Sequence, residues 1–320
     1  MKSSRMPAIA AAIWLAISAS SVRASDPCDR ACLEKHFDSF LAALTARDFR
    51  PLPLARDVRS TENGQALRLG EGLWRTASAR GKYKLYVTDA DSGQVGFMGT
   101  VIENGTPVLL ALRLKVDEQL ISEIEMIVTR PNYRPGGSEA GAGKRMEEAG
   151  QPRPQFLQTV PAAERMSRED LTRVANSYFT GLANDTVHYA APFWDSCERW
   201  ENGNITTGRP RRTDGFDVLA LGCRAQQESG FFAFVTGIRN RRFPVVDRER
   251  GLVLSWVFFD HTGAVRELHL SNGQTIPSSV TAPLTYHIAE LFQIRMGKID
   301  QIEAVCNTVP YGMKSEIWDK

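Results

Sequence analysis

Hydrophobic residues recur with helical spacing in two segments of the chain. The first segment, "ACLEKHFDSFLAALTAR", has an apolar face formed by Leu33, Phe37, Phe40, Leu41 and Leu44. The second, "SREDLTRVANSYFTGLAN", has an apolar face formed by Leu171, Val174, Tyr178 and Leu182. Ser167 and Asp170 stand three residues apart at its start, which is typical of an N-cap pair. The spacing predicts two amphipathic helices.

Alternating apolar and polar residues predict long paired strands after each helix. "VLLALRLKVDEQLISEIEMIV" and "LTYHIAELFQIRMGKIDQIEAV" each indicate a strand, a short turn and a second strand. Both contain Ile-x-x-Ile-Glu, at Ile121–Glu125 and at Ile299–Glu303. Each helix is also followed by the tripeptide Glu-Asn-Gly, at 62–64 and at 201–203. Asn104-Gly105 marks a further hairpin.

The order helix, turn, long strands therefore occurs twice, which indicates a tandem duplication. Helices that precede antiparallel strands predict an α+β fold with the helices packed on one face of each sheet. Residues 131–162 are rich in Gly, Pro and charge, so we interpret them as a linker. It separates a first domain, 27–130, from a second domain, 163–320.

The N-terminus has the composition of an export signal. Lys2 and Arg5 precede the apolar run "PAIAAAIWLAISAS", an order typical of a secretory signal peptide over 1–24, with cleavage near Ala24. We therefore expect a secreted or periplasmic protein. No later stretch approaches the ~20 apolar residues of a membrane span. The net charge of +2 disfavours nucleic acid as a partner.

The five cysteines are compatible with disulfides, because an exported chain meets an oxidising compartment. Cys28 and Cys32 are close enough for a local bridge. We favour a bridge between Cys197 and Cys223, which would leave Cys306 free. The chain has no Cys-x-x-Cys pair and its five histidines do not cluster at ligand spacing, so we expect neither a metal nor another cofactor.

The helix, the Glu-Asn-Gly turn and the final "F-x-I-x-x-G-K-I-x-x-I-E" hairpin resemble the NTF2-like, or SnoaL-like, superfamily. This superfamily includes ketosteroid isomerase, scytalone dehydratase and polyketide cyclases, and the chain is similar to an exported tandem group within it. The resemblance covers nearly all of the mature chain. It implies two cone-shaped domains, each a curved antiparallel sheet wrapped around N-terminal helices. Members include enzymes, binding modules and dimerisation domains, so the fold alone does not give the chemistry.

Glu290 is the main candidate for chemistry, because it interrupts an apolar strand face formed by Leu284, Tyr286, Ile288, Phe292 and Ile294. Inside an apolar cone the carboxyl group would lose hydration, its pKa would rise, and it could donate a proton to a developing oxyanion. The resemblance places it near the oxyanion-hole acid of ketosteroid isomerase. The first half has Leu112 or Ala111 at this position. The alternative is a bulge that turns Glu290 outwards, or an ion pair with an arginine.

The resemblance also makes Asp195 the nearest match to a general-base carboxylate. It would abstract a proton next to a carbonyl, while Glu290 or Tyr178 stabilises the enolate. Asp57 occupies a similar place in the first half, one residue out of register, so a shared structural role is the alternative. Candidate substrate contacts are Tyr286, Trp194, Trp200 and Arg242. Each has a structural alternative, as a core aromatic or as part of a solvated loop.

The sequence thus predicts a cofactor-independent isomerase, dehydratase or other lyase that acts on a small carbonyl-bearing or cyclic molecule in the second domain. The first domain would be a structural partner, because its pocket face is apolar: Val108, Leu110, Leu112 and Leu114. The alternative is a non-catalytic ligand-binding or dimerisation module. In either case we expect the two domains to form an intramolecular pseudo-dimer.

Overall fold

A computed structural model describes residues 28–131, 141–183, 191–212 and 215–318. The predicted signal peptide lies outside these residues. The described part is α+β, with two six-stranded mixed sheets and few helices, consistent with two domains. Its α-helices are α1 (Arg30–Ala46), α2 (Leu73–Thr76), α3 (Ala142–Ala149), α4 (Arg168–Ala183) and α5 (Cys223–Gln227). None of the described helices is long and apolar enough to cross a membrane.

The first sheet has the strand order β2-β1-β6-β5-β4-β3. Its strands are β1 (Leu54–Glu62), β2 (Gln65–Ala66), β3 (Ala77–Asp89), β4 (Gln94–Glu103), β5 (Thr106–Asp117) and β6 (Leu120–Thr129). Strands β3 to β6 form an antiparallel meander, whereas β1 pairs with β6 in parallel. The sheet is therefore mixed, and the expectation of a purely antiparallel sheet is wrong. The long crossover through β3, β4 and β5 lets β6 return beside β1 in the same direction.

The second sheet repeats this order as β8-β7-β14-β13-β10-β9. Its strands are β7 (Phe193–Glu201), β8 (Asn204–Ile205), β9 (Gly237–Asp247), β10 (Leu252–His261), β13 (Leu284–Arg295) and β14 (Lys298–Val309). Again one pair, β7 with β14, is parallel. Two short strands, β11 (Glu267–His269) and β12 (Thr275–Pro277), form a separate hairpin.

The two Glu-Asn-Gly turns have the same structure. Asn63 and Asn202 have φ of 52° and 47°, and the glycine that follows each also has positive φ. Both asparagine side chains bond the last strand of their sheet: Asn63 bonds the backbone of Val128, and Asn202 that of Cys306. Asparagine and glycine tolerate positive φ better than other residues, which is why this dipeptide forms both turns.

Three apolar clusters hold the described fold together. The first lies between α1 and the inner face of the first sheet, and the second between α4 and the inner face of the second sheet. The third lies between the outer faces of the two sheets and contains Tyr83, Leu109, Leu254, Trp256 and Leu291. The two sheets are therefore packed back to back.

The predicted linker has structure of its own. Within it lie α3 and a 3₁₀ helix, Pro154–Leu157. Met146 and Phe156 are buried in the cluster between the sheets. The low apolar content of the segment concealed this, because only a few of its described side chains fill the interface between the two sheets.

The interface between the outer faces of the two sheets is called the seam below. Polar contacts across this seam are reciprocal. Asp89 at the end of β3 pairs with Arg168 and accepts a hydrogen bond from the amide of Val246. In turn, Asp247 at the end of β9 pairs with Arg30 and accepts a hydrogen bond from the amide of Thr88. Arg30 and Arg168 are the first residues of α1 and α4. The same contact is thus made twice, once in each direction.

Candidate functional site

A cavity of about 370 Å³ lies inside the second half, between α4, the inner face of the sheet and residues 218–235. Its walls are mostly apolar and aromatic, with contributions from Leu182, Phe231, Phe232, Phe234, Phe259 and Ile288. A few polar groups also line it, among them Tyr178, Arg199, Glu201, Gln226, His261 and Glu290. An apolar cavity of this size with a small number of polar groups is typical of small-molecule sites.

Glu290 is at the centre of this polar group. It lies in the middle of β13, opposite Ser255 on one side and Ala304 on the other, and only 3% of it is exposed. Burial raises the pKa of Glu290 to about 8, and the negative charge of Glu201 adds to this. Arg199 and a hydrogen bond with Tyr178 act in the opposite direction, but they do not cancel the effect of burial. The carboxyl group is therefore mostly protonated at neutral pH and can donate a hydrogen bond.

Tyr178 and Arg199 form a hydrogen-bonded chain with this acid. The hydroxyl of Tyr178, on α4, bonds the carboxyl group of Glu290. Arg199 Nη1 donates to the same hydroxyl over 3.2 Å. Burial raises the pKa of Tyr178 well above its usual value, so this phenol stays protonated.

Arg199 is itself fixed from several sides. Its Nη2 donates to Gln226 Oε1 over 2.6 Å, and its Nε donates to Thr206 Oγ1 over 3.0 Å. Glu201 Oε1 lies 3.0 Å from the same Nε, so a second carboxylate stands at the cavity. The disulfide between Cys197 and Cys223 joins β7, which carries Arg199, to α5, which carries Gln226. The favoured cysteine pair is thus present and holds this wall of the cavity together.

His261 adds a neutral ring to the opposite wall. Burial lowers the pKa of His261 to about 4, so the ring is uncharged at neutral pH. Its Nδ1 lies 3.1 Å from the carbonyl oxygen of Phe259, which assigns the proton to Nδ1. The ring stacks on Phe234 and meets Tyr286 edge-on, with centroids 5.7 and 5.0 Å apart.

Of the residues predicted from sequence, Glu290, Tyr178 and Tyr286 line the cavity together. Asp195 does not: it is exposed and lies in a bulge of β7. Phe193 pairs with Ile299 while Glu198 pairs with Gln301, so β7 advances by five residues where β14 advances by two. Within such a bulge the alternation of inward and outward side chains is lost. Asp195 as the base of this cavity is therefore corrected.

The other three predicted contacts also lie elsewhere. Trp194 donates its ring N–H to the carbonyl of Arg295 and lies outside the cavity lining. Trp200 packs against the cluster between the two sheets. Arg242 forms an ion pair across the seam with Glu125, which is fully buried. These assignments are corrected, because the bulge in β7 and the back-to-back packing of the sheets direct these side chains away from the cavity.

Sequence reasoning missed Arg199, Glu201, Gln226 and His261. A signal was present for Arg199, because it follows Cys197 by two residues on one strand face and so shares its inward direction. Gln226 lies on the five-residue helix α5, and the sequence offers no periodicity over so short an element. His261 ends β10, where the adjacent Asp260 suggested a turn.

Three positions of this polar group carry other residues in the first half, whereas Glu201 has Glu62 as its counterpart in the shared Glu-Asn-Gly turn. Strand registers align Glu290 with Leu112, since these face Ala304 and Met126, which follow the repeated Ile-x-x-Ile-Glu motifs. The same registers align Arg199 with Ser60, opposite Ile302 and Ile124. Counting from the first helical residue aligns Tyr178 with Phe40. Phe40 packs edge-on against the buried Trp74 in the first core.

Known proteins match parts of this chain. Residues 164–306, which contain the whole polar group of the cavity, match the family described as Domain of unknown function (DUF8021). No curated protein matches the chain. Among solved structures, one similar chain is described as "Crystal structure of a de novo designed protein with curved beta-sheet". It is 16% identical, the match covers 44% of this chain and 88% of that chain, and the TM-score is 0.23. A TM-score this low does not indicate a shared fold.

Proposed function

We propose that the second half is a cofactor-independent isomerase or lyase that acts on a small, largely apolar molecule with a carbonyl group. The observation that carries this proposal is a protonated, buried Glu290 that shares one cavity with Tyr178, Arg199 and Glu201. In the first half the counterparts of the first three are Leu112, Phe40 and Ser60, whereas Glu201 has Glu62 as its counterpart in the shared Glu-Asn-Gly turn. The combination of Glu290, Tyr178 and Arg199, which only one of two repeats has, is more easily explained by a ligand than by the fold.

In the proposed reaction, the carbonyl oxygen of the substrate replaces the bond between Tyr178 and Glu290, and both hydroxyl groups then donate hydrogen bonds to that oxygen. Both groups are neutral donors at neutral pH, because burial raises the pKa of each. Negative charge that develops on the oxygen would be stabilised in a site with little water, where such bonds are strong. Arg199 positions Tyr178 through the hydrogen bond to its hydroxyl.

Glu201 takes the role of base that the sequence assigned to Asp195. It lines the same cavity, and its side chain is 37% exposed and so open to water. Two carboxyl groups in one site can divide the roles of acid and base between them. Glu201 would abstract the proton next to the carbonyl, and would return it at another carbon in an isomerisation.

The repeated strand order, the enclosed helix in each half and the mostly apolar cavity also support the NTF2-like resemblance. The reciprocal Asp89 and Asp247 contacts support an intramolecular pseudo-dimer, because twofold interfaces make each contact twice. We infer that the first half is the structural partner. Its pocket-facing residues, including Leu110 and Leu112, are fully buried in its core.

The test begins with a set of cyclic ketones and enones, screened for an increase in thermal stability. Hits are then incubated with the protein in D₂O, and deuterium exchange next to the carbonyl is followed by NMR. We expect Glu201→Gln to keep binding but lose exchange at least 100-fold. We expect Glu290→Gln to weaken both. Asp195→Asn is the matched control on the same strand and should behave like the wild type.

A second candidate is a binding module without turnover. It is favoured by the 3.0 Å contact between Glu201 and Arg199, because this ion pair already engages the carboxylate that would act as the base. Here the hits would bind, Glu290→Gln would weaken binding, and no protein variant would alter deuterium exchange. If Glu290→Gln binds every hit as well as the wild type does, both candidates fail.

A further inference from the structure

A second group of reactive side chains lies in the first half, far from the cavity in sequence. Cys28 precedes α1, while Cys32 and His36 lie on its first turns at a spacing of four residues. Residues four apart on a helix share one face. Their ligand atoms, two sulfurs and one imidazole nitrogen, all lie within 4.8 Å of one another. The two cysteines are joined as a disulfide.

A fourth donor approaches from the sheet. Gln119 lies in the turn between β5 and β6, with φ of 64°. Its Oε1 lies 3.1 Å from Cys32 Sγ and 3.4 Å from His36 Nε2. Around a tetrahedral zinc ion, oxygen and nitrogen or sulfur ligands are about 3.3–3.6 Å apart, given the usual metal–ligand bond lengths. Gln119 is thus nearly at ligand separation from Cys32 and His36 before any metal binds, whereas the two sulfurs separate only when the disulfide is reduced.

We propose that this group is a redox-gated site for zinc or a similar soft divalent cation. In the oxidised protein the disulfide occupies both sulfurs, so no thiolate is available. A dithiol reductant transfers two electrons to the S–S bond, which yields two cysteine thiols and the oxidised dithiol. Zn²⁺ then displaces both thiol protons and binds Cys28, Cys32, His36 and Gln119. Two thiolates, an imidazole and one oxygen form a donor set that suits zinc.

The local structure fixes the position of Cys32 and leaves the site accessible. Cys32 lies in the first turn of α1, where Asp29 caps the helix and accepts a bond from its backbone amide. Cys28, Cys32 and His36 are each half-buried, so a reductant and a metal ion can reach them.

The test compares oxidised protein with protein reduced by a phosphine, which is then removed by gel filtration under anaerobic conditions. Zn²⁺ binding is measured by competition with a chromogenic chelator, and Co²⁺ is used as a spectroscopic probe. We expect one ion per reduced chain, none per oxidised chain, and thiolate charge-transfer bands with tetrahedral Co²⁺ bands. His36→Ala keeps both cysteines and should weaken binding at least tenfold.

Two double variants identify which cysteine pair binds the ion. The double variant Cys28→Ser with Cys32→Ser should lose the ion, whereas Cys197→Ser with Cys223→Ser should retain it. Circular dichroism of oxidised His36→Ala serves as the check that the fold is unchanged. The proposal is overturned if the reduced wild type binds no ion, or if His36→Ala binds Zn²⁺ as tightly as the wild type does.

Discussion

Glu290 is held in the protein at an energetic cost. The counterpart in the first half, Leu112, is apolar and fully buried, so the fold does not require an acid here. Because burial raises its pKa to about 8, folding at neutral pH must protonate a carboxyl group that is ionised in the unfolded chain. Keeping an acid at such a position is usual for a functional site, where stability is exchanged for chemistry.

We therefore predict that Glu290 makes stability fall as pH rises. The unfolded group titrates near 4.5 and the folded group near 8, so the folded state binds more protons between these values. Stability should fall by up to about 1.4 kcal/mol per pH unit in this window. At pH 7 the accumulated cost is about 3 kcal/mol. It should be absent below pH 4 and constant above pH 9.

Urea denaturation of the wild type and of Glu290→Gln across this range measures the effect, because the amide does not titrate. The difference in free energy of unfolding between the two proteins should change with pH by the amounts given. Asp195→Asn, a change at an exposed carboxylate, provides the comparison. Parallel pH profiles for the wild type and Glu290→Gln would show that Glu290 is not buried as described.

At the scale of elements, the duplication is preserved most closely in the edge of each sheet. The bulge in β1, where Leu54 pairs with Ile121 and Arg59 with Glu123, has the same length as that in β7. Both bulged strands end in a Glu-Asn-Gly turn tied to the last strand by its asparagine. Together these features fix the register of the outer strand pair.

We predict that each of these asparagines stabilises the protein by more than its tolerance of positive φ alone would give. Asn202→Ala loses a favourable residue at positive φ and also two hydrogen bonds to the half-buried backbone of Cys306, whose carbonyl keeps its bond from Thr129. The expected loss of stability is about 2–4 kcal/mol. Asn104→Ala, in an exposed hairpin turn with φ of 47°, should lose only about 1–2 kcal/mol. Equal losses, measured by chemical denaturation, would contradict the role of the side-chain bonds.

At the scale of the whole molecule, the seam between the halves is both apolar and polar. Trp256 and Leu254 of one sheet meet Tyr83 and Leu109 of the other. Glu303, buried at the seam, accepts hydrogen bonds from the Tyr83 hydroxyl over 2.9 and 2.8 Å. Burial raises the pKa of Glu303, while Arg153 and Tyr83 counteract the shift. A seam of this kind is expected to couple the unfolding of the two halves.

We predict similar losses for Asp89→Ala and Asp247→Ala, because the two carboxylates make the same contacts in opposite directions. Each substitution leaves a buried amide unpaired and should cost about 1–3 kcal/mol. Asp91→Ala removes an exposed carboxylate with a 3.5 Å contact to Arg248 and should cost less than about 0.5 kcal/mol.

Denaturation followed by tryptophan fluorescence and by circular dichroism should give one shared transition. Two separate transitions would mean that the halves unfold independently.

The sequence by itself determined the two long helices α1 and α4, the strand pairs β5–β6 and β13–β14, the Glu-Asn-Gly turns and the duplication. Hydrophobic period, turn chemistry and the repeated motif are local, so each can be recognised without knowledge of its partners. For the same reason Glu290 could be recognised as an acid on an apolar strand face. The sequence aligned it with Leu112 or Ala111, and the strand register identifies Leu112 as the counterpart.

The tertiary structure alone decided which polar side chains meet Glu290. Arg199, Gln226 and His261 come from three separate elements, and only the packing of those elements brings them to one cavity. Asp195 lies in the bulge of β7, where three extra residues interrupt the alternation of inward and outward side chains, so it does not line the cavity. The back-to-back packing of the sheets likewise places the side chains of Trp200 and Arg242 at the seam. Long-range packing of this kind leaves no periodic signal in the chain.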